Sequence, residues 1–233
     1  MNIVFSIVSH GQVDLVKILL QSMDKYVYQG IHKIKIVITE NLLSNVDLKS
    51  EKFTVYTTLN LRQKGFGDNH NSAFERTESD FFFVVNPDIT FVSNFNLNEV
   101  IEELVSKKID ISSPQILNPR GGVEDYKRSN LSLINLIMRK VLNKRRQKFE
   151  WLAGMFLIIK SESFRRLNGF DTDFFMYVED CDLCMRARSL DMLVDDIPDY
   201  AVVHDARRGS TKSFKHLKWH ILSLIKYWLY KKV

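Results

Sequence analysis

Three carboxylates, Glu179, Asp180 and Asp182, fall within four residues, directly behind the aromatic block Phe174-Phe175-Met176-Tyr177. An acid held at the edge of an apolar core is desolvated, its pKa becomes tunable, and it can act as a general base. The same triplet also reads as the acidic first turn of a helix, where carboxylates favour free N–H groups and the positive end of the dipole. Both readings can hold together. Cys181 and Cys184, the only cysteines, stand three apart in the same stretch. No second Cys/His pair has a spacing that would complete a zinc site, so Cys184 reads as a small buried apolar residue.

The elements that must position these acids can be read from hydrophobic periodicity. Residues 3–8 form a buried strand and 13–23 an amphipathic helix. Residues 34–38 and 54–57 make two more strands, and 69–78 a helix. Phe81–Val85, the most apolar run, is a central strand, and 97–107 is a helix with acids early and lysines late. Alternating strands and helices imply a mainly parallel sheet covered on both faces, an α/β fold. Ligands of such sheets bind at the carboxyl ends of the strands. Three polar signals fall there: Ser9-His10, Thr39-Glu40-Asn41 and Asn86-Pro87-Asp88. Each alone is ordinary turn chemistry, and their common edge is what makes them a candidate site.

With 233 residues and no Pro/Gly-rich linker, the chain reads as one domain, residues 1–206, with a short appendage, 207–233. No apolar run reaches the ~18 residues of a membrane-spanning helix, and no signal-peptide pattern opens the chain, so a cytoplasmic location is expected. Charge is unevenly placed. Of 33 Lys and Arg, eight lie in 207–233 and six in 139–148, leaving 19 against 28 acids elsewhere. Two basic patches on an acidic body suggest a directed anionic partner rather than nucleic acid. In the tail, Phe214, Leu217, Ile221, Leu224, Ile225 and Trp228 recur at helical spacing among lysines. Such a helix either lies on an anionic membrane surface or packs on the core.

From Gly154-Met155-Phe156-Leu157-Ile158-Ile159-Lys160 through Phe164, Gly169-Phe170-Asp171, Phe174-Phe175, Glu179-Asp180-Cys181-Asp182-Leu183 and Arg186 to Val203-His204, the chain resembles bacterial family 2 glycosyltransferases. It is most similar to their rhamnosyltransferase-like subgroup of O-antigen and capsule synthesis, and the resemblance runs from Ile3 to about Trp228. It implies a GT-A fold, with a donor half at about 1–92 and an acceptor half at 93–206. The implied activity is inverting transfer of a hexose or deoxyhexose from a UDP- or dTDP-sugar, with Mn or Mg, to a saccharide acceptor carried on a polyprenyl diphosphate.

Residue by residue, the resemblance makes Asp180 the base, with Glu179 and Asp182 holding acceptor hydroxyls or orienting the loop. Asn86-Pro87-Asp88 matches the family's metal motif: Asp88 is the ligand, Asn86 replaces a carboxylate, and His204 completes the sphere. Glu40 matches the acid that accepts a pyrimidine imide N–H, with Ser9 near the nucleoside. Gly65-Phe66-Gly67 with Asn71 resembles the family's glycine-rich donor loop, although Gln63 and Asn69 depart from it. Gly154 and Trp151 fall on the acceptor side. Two other readings keep the same fold class: an inactive sugar-nucleotide-binding scaffold, and a nucleotidyltransferase. The latter lacks the expected Gly-rich, Arg/Lys-containing loop after the first strand.

Overall fold

Seven consecutive buried residues make Asn2–His10 (β1) a strand covered on both faces, as a parallel sheet requires. The computed structural model describes residues 1–27, 30, 32–42, 47–93, 95–129, 131, 149–206 and 214–230. The basic stretch 139–148 and the tail residues 207–213 and 231–233 lie outside the described residues.

Val13–Tyr26 (α1) follows and buries Val16, Leu19, Leu20 and Met23, one stripe at helical spacing. Each such side chain contributes roughly 2 kcal/mol on leaving water. Lys33–Leu42 (β2) and Thr54–Leu59 (β3) come next, then Phe66–Glu75 (α2), Phe81–Val85 (β4) and the short Ile89–Phe91 (β5). Leu97–Ser106 (α3) is capped by the Asn96 side chain, which accepts the Asn98 N–H at 3.1 Å. Ile111–Leu117 (β6), the ribbon Lys127–Arg128 (β7) with Trp151–Leu152 (β8), and Phe156–Lys160 (β9) precede Ser161–Arg166 (α4). Glu179–Ser189 (α5), Val194–His204 (β10) and Phe214–Tyr230 (α6) complete the chain.

Eight strands form one sheet in the order β3-β2-β1-β4-β9-β6-β10-β5. The pairs β3-β2, β2-β1 and β1-β4 are parallel, whereas β9 runs antiparallel to both β4 and β6. Strand order reverses between β1 and β4, and the crevice at their carboxyl ends is where such sheets bind ligands. β5 crosses to the far edge and pairs antiparallel with β10, so that Ile89 faces His204. This crossing brings the residue after Pro87 beside the end of β10. The core is dense in aromatics: Phe82 stacks on Phe164 at 5.4 Å, and Phe74 meets both edge-on.

Strands β5 and β6 are among those without a counterpart in the sequence reading, because Ser112, Ser113 and Pro114 interrupt the apolar run of β6 and β5 has three residues. The helix read at 69–78 begins at Phe66 instead, since Gly65 serves as its N-cap. Cys181 and Cys184 are free and buried, and burial pushes the Cys184 thiol up to about 12.

Candidate active site

The glycine-rich turn is held by an asparagine network. Asn41, at the end of β2, donates to Lys64 O and accepts from Lys64 N, both at 2.8 Å. Asn60 bridges Asn41 and Asn69, and Asn69 closes the turn on Gly65 O at 2.8 Å. Asn69 is fully buried, which accounts for an asparagine where the resemblance expects glycine. Gly65 lies so close to the Phe175 backbone that an added Cβ would sit 2.5 Å from the Phe175 oxygen. The Phe66 N–H donates to that oxygen at 2.9 Å, joining the donor loop to the aromatic block. Ser9 and Glu40 lie side by side at the ends of β1 and β2, both buried, with Ser9 Oγ accepting the Gln12 N–H at 3.1 Å.

The acids open α5 with unusual backbone. Tyr177 and Val178 both have positive φ, 72° and 78°. A β-branched residue in that region is strained by about 1–3 kcal/mol and persists only when its surroundings impose it. From this kink Asp180 turns inward: its Oδ2 accepts the Gly154 N–H and its Oδ1 the Cys181 N–H, each at 2.8 Å. A Cβ on Gly154 would press on both Asp180 and the Phe66 ring, so the glycine keeps Asp180, the glycine-rich turn and the β8–β9 turn in contact.

Burial raises the Asp180 pKa, and Arg128 with the two N–H donors works against that rise. Glu179 is 5% exposed, and burial, then the Asp180 charge, push it well above the carboxylate range. Burial is thus the main cause of the upward shift at both acids; the Asp180 charge adds to it at Glu179, whereas Arg128 and the N–H donors oppose it at Asp180.

A second cluster lies at the ends of β4 and β10. His204 Nε2 is 3.3 Å from Asp88 Oδ1, and its Nδ1 is 3.4 Å from Glu124 Oε2. Burial lowers the His204 pKa, but the two carboxylates outweigh it and leave the imidazole raised. Asp88 Oδ1 is buried, with the His204 ring as its contact at the long limit of a hydrogen bond. Among the described residues no group of three His, Cys, Asp or Glu could hold a metal by itself. The clusters are linked through the backbone: Asn86 N–H donates to Met155 O at 3.0 Å, one residue from Gly154.

Helix α6 is built into this site. Its inner face takes the Tyr177 hydroxyl on His216 Nδ1 at 2.8 Å, sets the Trp219 ring against Phe175 at 4.8 Å and a 40° tilt, and donates Ser223 Oγ to Met176 O at 3.0 Å. Lys226 pairs with Asp173 at 2.8 Å, and Trp228 donates to Leu131 O at 2.7 Å. Burial, then neighbouring His216, lowers the pKa of His10 at the end of β1. The tail stripe read from sequence is thus divided: Leu224 is buried and Trp228 half-buried, while Phe214, Leu217, Ile221 and Ile225 stay exposed.

Three of the expected site residues are held by contacts within the protein. Asn71 was assigned to the nucleotide sugar, but its amide clasps both the N–H and C=O of Phe170, at 2.9 and 2.8 Å. Trp151 was assigned to the acceptor, but it is 3% exposed, with its N–H on Ser129 O and its ring under Arg128. No open face is left for a sugar. Asp182, expected to hold an acceptor hydroxyl or to orient the loop, is 1% exposed and paired with Arg186 at 2.7 Å. Arg186 in turn holds Leu167 O and Gly169 O, so Asp182 belongs to the loop-orienting option. Glu124 and Arg128 were not singled out, because neither sits in a local motif and only the β6–β7 connection carries them inward. A cavity of about 680 Å³ lies at the amino-terminal strand ends, lined by Asp80, Lys108, Lys160 and Arg165, away from all of these residues.

No protein-family profile matches the chain. It is 26% identical over 252 aligned residues to rhamnosyltransferase WbbL of Escherichia coli K12, covering 97% of this chain and 92% of that protein. It is also 26% identical to the N-acetylglucosaminyl-diphospho-decaprenol L-rhamnosyltransferase of Mycobacterium tuberculosis, over 70% of this chain and 60% of that one. Among solved structures, S. aureus TarS 1–349 with UDP-GlcNAc superposes at TM-score 0.65, 14% identity, covering 92% of this chain and 62% of that one. GalNAc-T7 with UDP, GalNAc and Mn2+ superposes at 0.68, 16% identity, covering 88% and 43%. Mannosyltransferase PcManGT of Pyrobaculum calidifontis, with GDP-Man and Mn2+, does so at 0.63, 14% identity, covering 96% and 64%. The fold is that of the GT-A glycosyltransferases. Within that fold class the chain is similar in sequence to bacterial rhamnosyltransferases over 70–97% of its length.

Proposed function

We propose that the protein transfers a hexose or deoxyhexose from a UDP- or dTDP-sugar to a polyprenyl-diphosphate-linked saccharide, with inversion, during surface polysaccharide synthesis at the cytoplasmic face of the membrane. The observation that carries this reading is the Asp180 carboxylate, fixed by the Gly154 N–H beside the glycine-rich turn and next to the buried Glu179. Inverting transfer is one in-line displacement, which needs a base at the acceptor hydroxyl and charge stabilisation at the leaving diphosphate. Asp180 takes the hydroxyl proton. Glu179, protonated, orients the acceptor or the loop without adding a second negative charge. Glu40 and Ser9 receive the base and ribose end of the donor, and Gly65 lets the backbone approach the sugar.

Asp88 and His204 fit a divalent cation, because a buried carboxylate oxygen and an imidazole nitrogen converge there within 3.3 Å. A bound Mn or Mg would neutralise the diphosphate as it departs. The two protein ligands form half a site, which diphosphate oxygens would complete. The rhamnosyltransferase relatives and the nucleotide-sugar-bound neighbours support the substrate classes.

The decisive test is Asp180→Asn, assayed for transfer and, separately, for nucleotide affinity. Loss of a general base costs about 10²–10⁴ in rate, with affinity near wild type. Turnover within a few-fold of wild type would remove Asp180 from the mechanism.

A further inference from the structure

Helix α6 has two apolar faces, and the catalytic loop uses only one. The opposite face presents Phe214, Leu217, Ile221, Leu222, Ile225 and Leu229, between 44% and 90% exposed. A helix resting on a soluble core turns charge toward water, and isolated exposed apolar residues are common. Six large ones along four turns of a single face form a patch that needs a covering.

We propose that this outer face docks on an anionic lipid bilayer. Charge selects the occupant. Residues 207–233 carry eight Lys or Arg and no acid. Pairing with a second copy through the same face would bring two such cationic segments together, and like charge opposes that. An anionic surface is complementary to them, each nearby cation strengthening partition roughly fivefold at low salt. Lys218 is exposed between Leu217 and Ile221, where its stem can lie along the apolar face with the ammonium at headgroup level. Among the described residues no helix is long and apolar enough to cross a membrane, so contact is in the plane of the interface.

Because the inner face of α6 grips Asp173 to Tyr177, docking would set the acid loop about one helix diameter, ~10 Å, from the lipid surface. The purpose of that placement rests on the lipid-linked acceptor reading; the surface itself does not.

The test is co-sedimentation of the full chain with phosphatidylcholine vesicles, with and without phosphatidylglycerol, in the absence of donor and acceptor. Binding should require phosphatidylglycerol and fall several-fold as salt rises from about 0.1 M toward 1 M and screening shortens. Leu217→Gln, Ile221→Gln and Ile225→Gln combined should weaken it at least about tenfold with an unchanged circular dichroism spectrum. Lys218→Glu supplies an independent loss should the triple variant misfold. The proposal is overturned if the full chain ignores anionic vesicles, or binds both vesicle types equally at all salt concentrations. It is equally overturned if the outer-face variants convert a dimer to monomers while vesicle binding is absent. With no substrate present, failure here leaves the transferase reading untouched, and an active Asp180→Asn enzyme leaves the docking surface untouched.

Discussion

Burial pushes the neighbouring acids Glu179 and Asp180 both toward the protonated form, but their local partners differ. Glu179 Oε2 is buried without a hydrogen bond, whereas Asp180 receives two N–H donors. The ionised form of Glu179 is thus disfavoured in the folded protein relative to the unfolded chain. A group whose folded pKa is raised contributes stability in full below its unfolded value and loses it as pH climbs through the folded value. The window opens at the ordinary glutamate pKa of about 4.3 and extends upward. Wild-type stability should therefore fall with pH across that range more steeply than that of Glu179→Gln, which has no proton to lose there. Denaturant midpoints of both proteins from about pH 4 to 8 measure the difference. Parallel curves would mean that Glu179 is solvated and not the proton-bearing partner described above.

At the scale of elements, the important joint is between α5 and α6. The left-handed backbone at Tyr177 and Val178 is not stable by itself, and α6 restrains the preceding segment through His216, Trp219, Ser223 and Lys226. Truncation at Thr211 removes all of these contacts. Transfer to a soluble acceptor should then fall by at least about tenfold, since a 1 Å misplacement of catalytic groups can cost 10² in rate. The same truncation should lower the melting temperature by exposing Cys181 and the loop beneath Tyr227. Soluble-acceptor activity equal to that of the full chain, with an unchanged melting temperature, would show α6 to be a detachable appendage. The division at residue 206 read from sequence follows charge, whereas the packing carries across it.

For the molecule as a whole, one continuous sheet spans residues 1–92 and 93–206, and β5 ties the first stretch to the edge of the second. Unfolding should be a single cooperative transition that nucleotide shifts as a unit, because the donor crevice lies at the reversal between β1 and β4. UDP or dTDP at 100 times its Kd, with Mn, should add about 2.7 kcal/mol. EDTA or Asp88→Ala should remove most of that increment if the cation bridges protein and diphosphate. Differential scanning calorimetry with these additions tests both points: two separated transitions would argue against one cooperative unit, and an EDTA-insensitive shift against the metal bridge.

Much of this arrangement was legible in the chain. The all-apolar Phe81–Val85 run can satisfy its surroundings only as a central strand, and β1 and α1 follow equally from local periodicity. The acidic run behind an aromatic block marked the start of α5 because both signals are contiguous in sequence. Other features are pairings between distant residues and leave no local pattern. Glu124 reaches His204 across 80 positions and Asn71 clasps Phe170 across 99, which is why one was missed and the other assigned to the sugar. Trp151 has the side chain of a sugar-stacking platform, and only packing shows its face to be covered by Arg128. The tail shows the division most clearly. Sequence determines that α6 is amphipathic and basic, since periodicity and charge are properties of the segment alone. Which apolar residues meet the catalytic loop and which are left for another surface depends on where the helix lands, and that is decided by the shape of the loop it packs against.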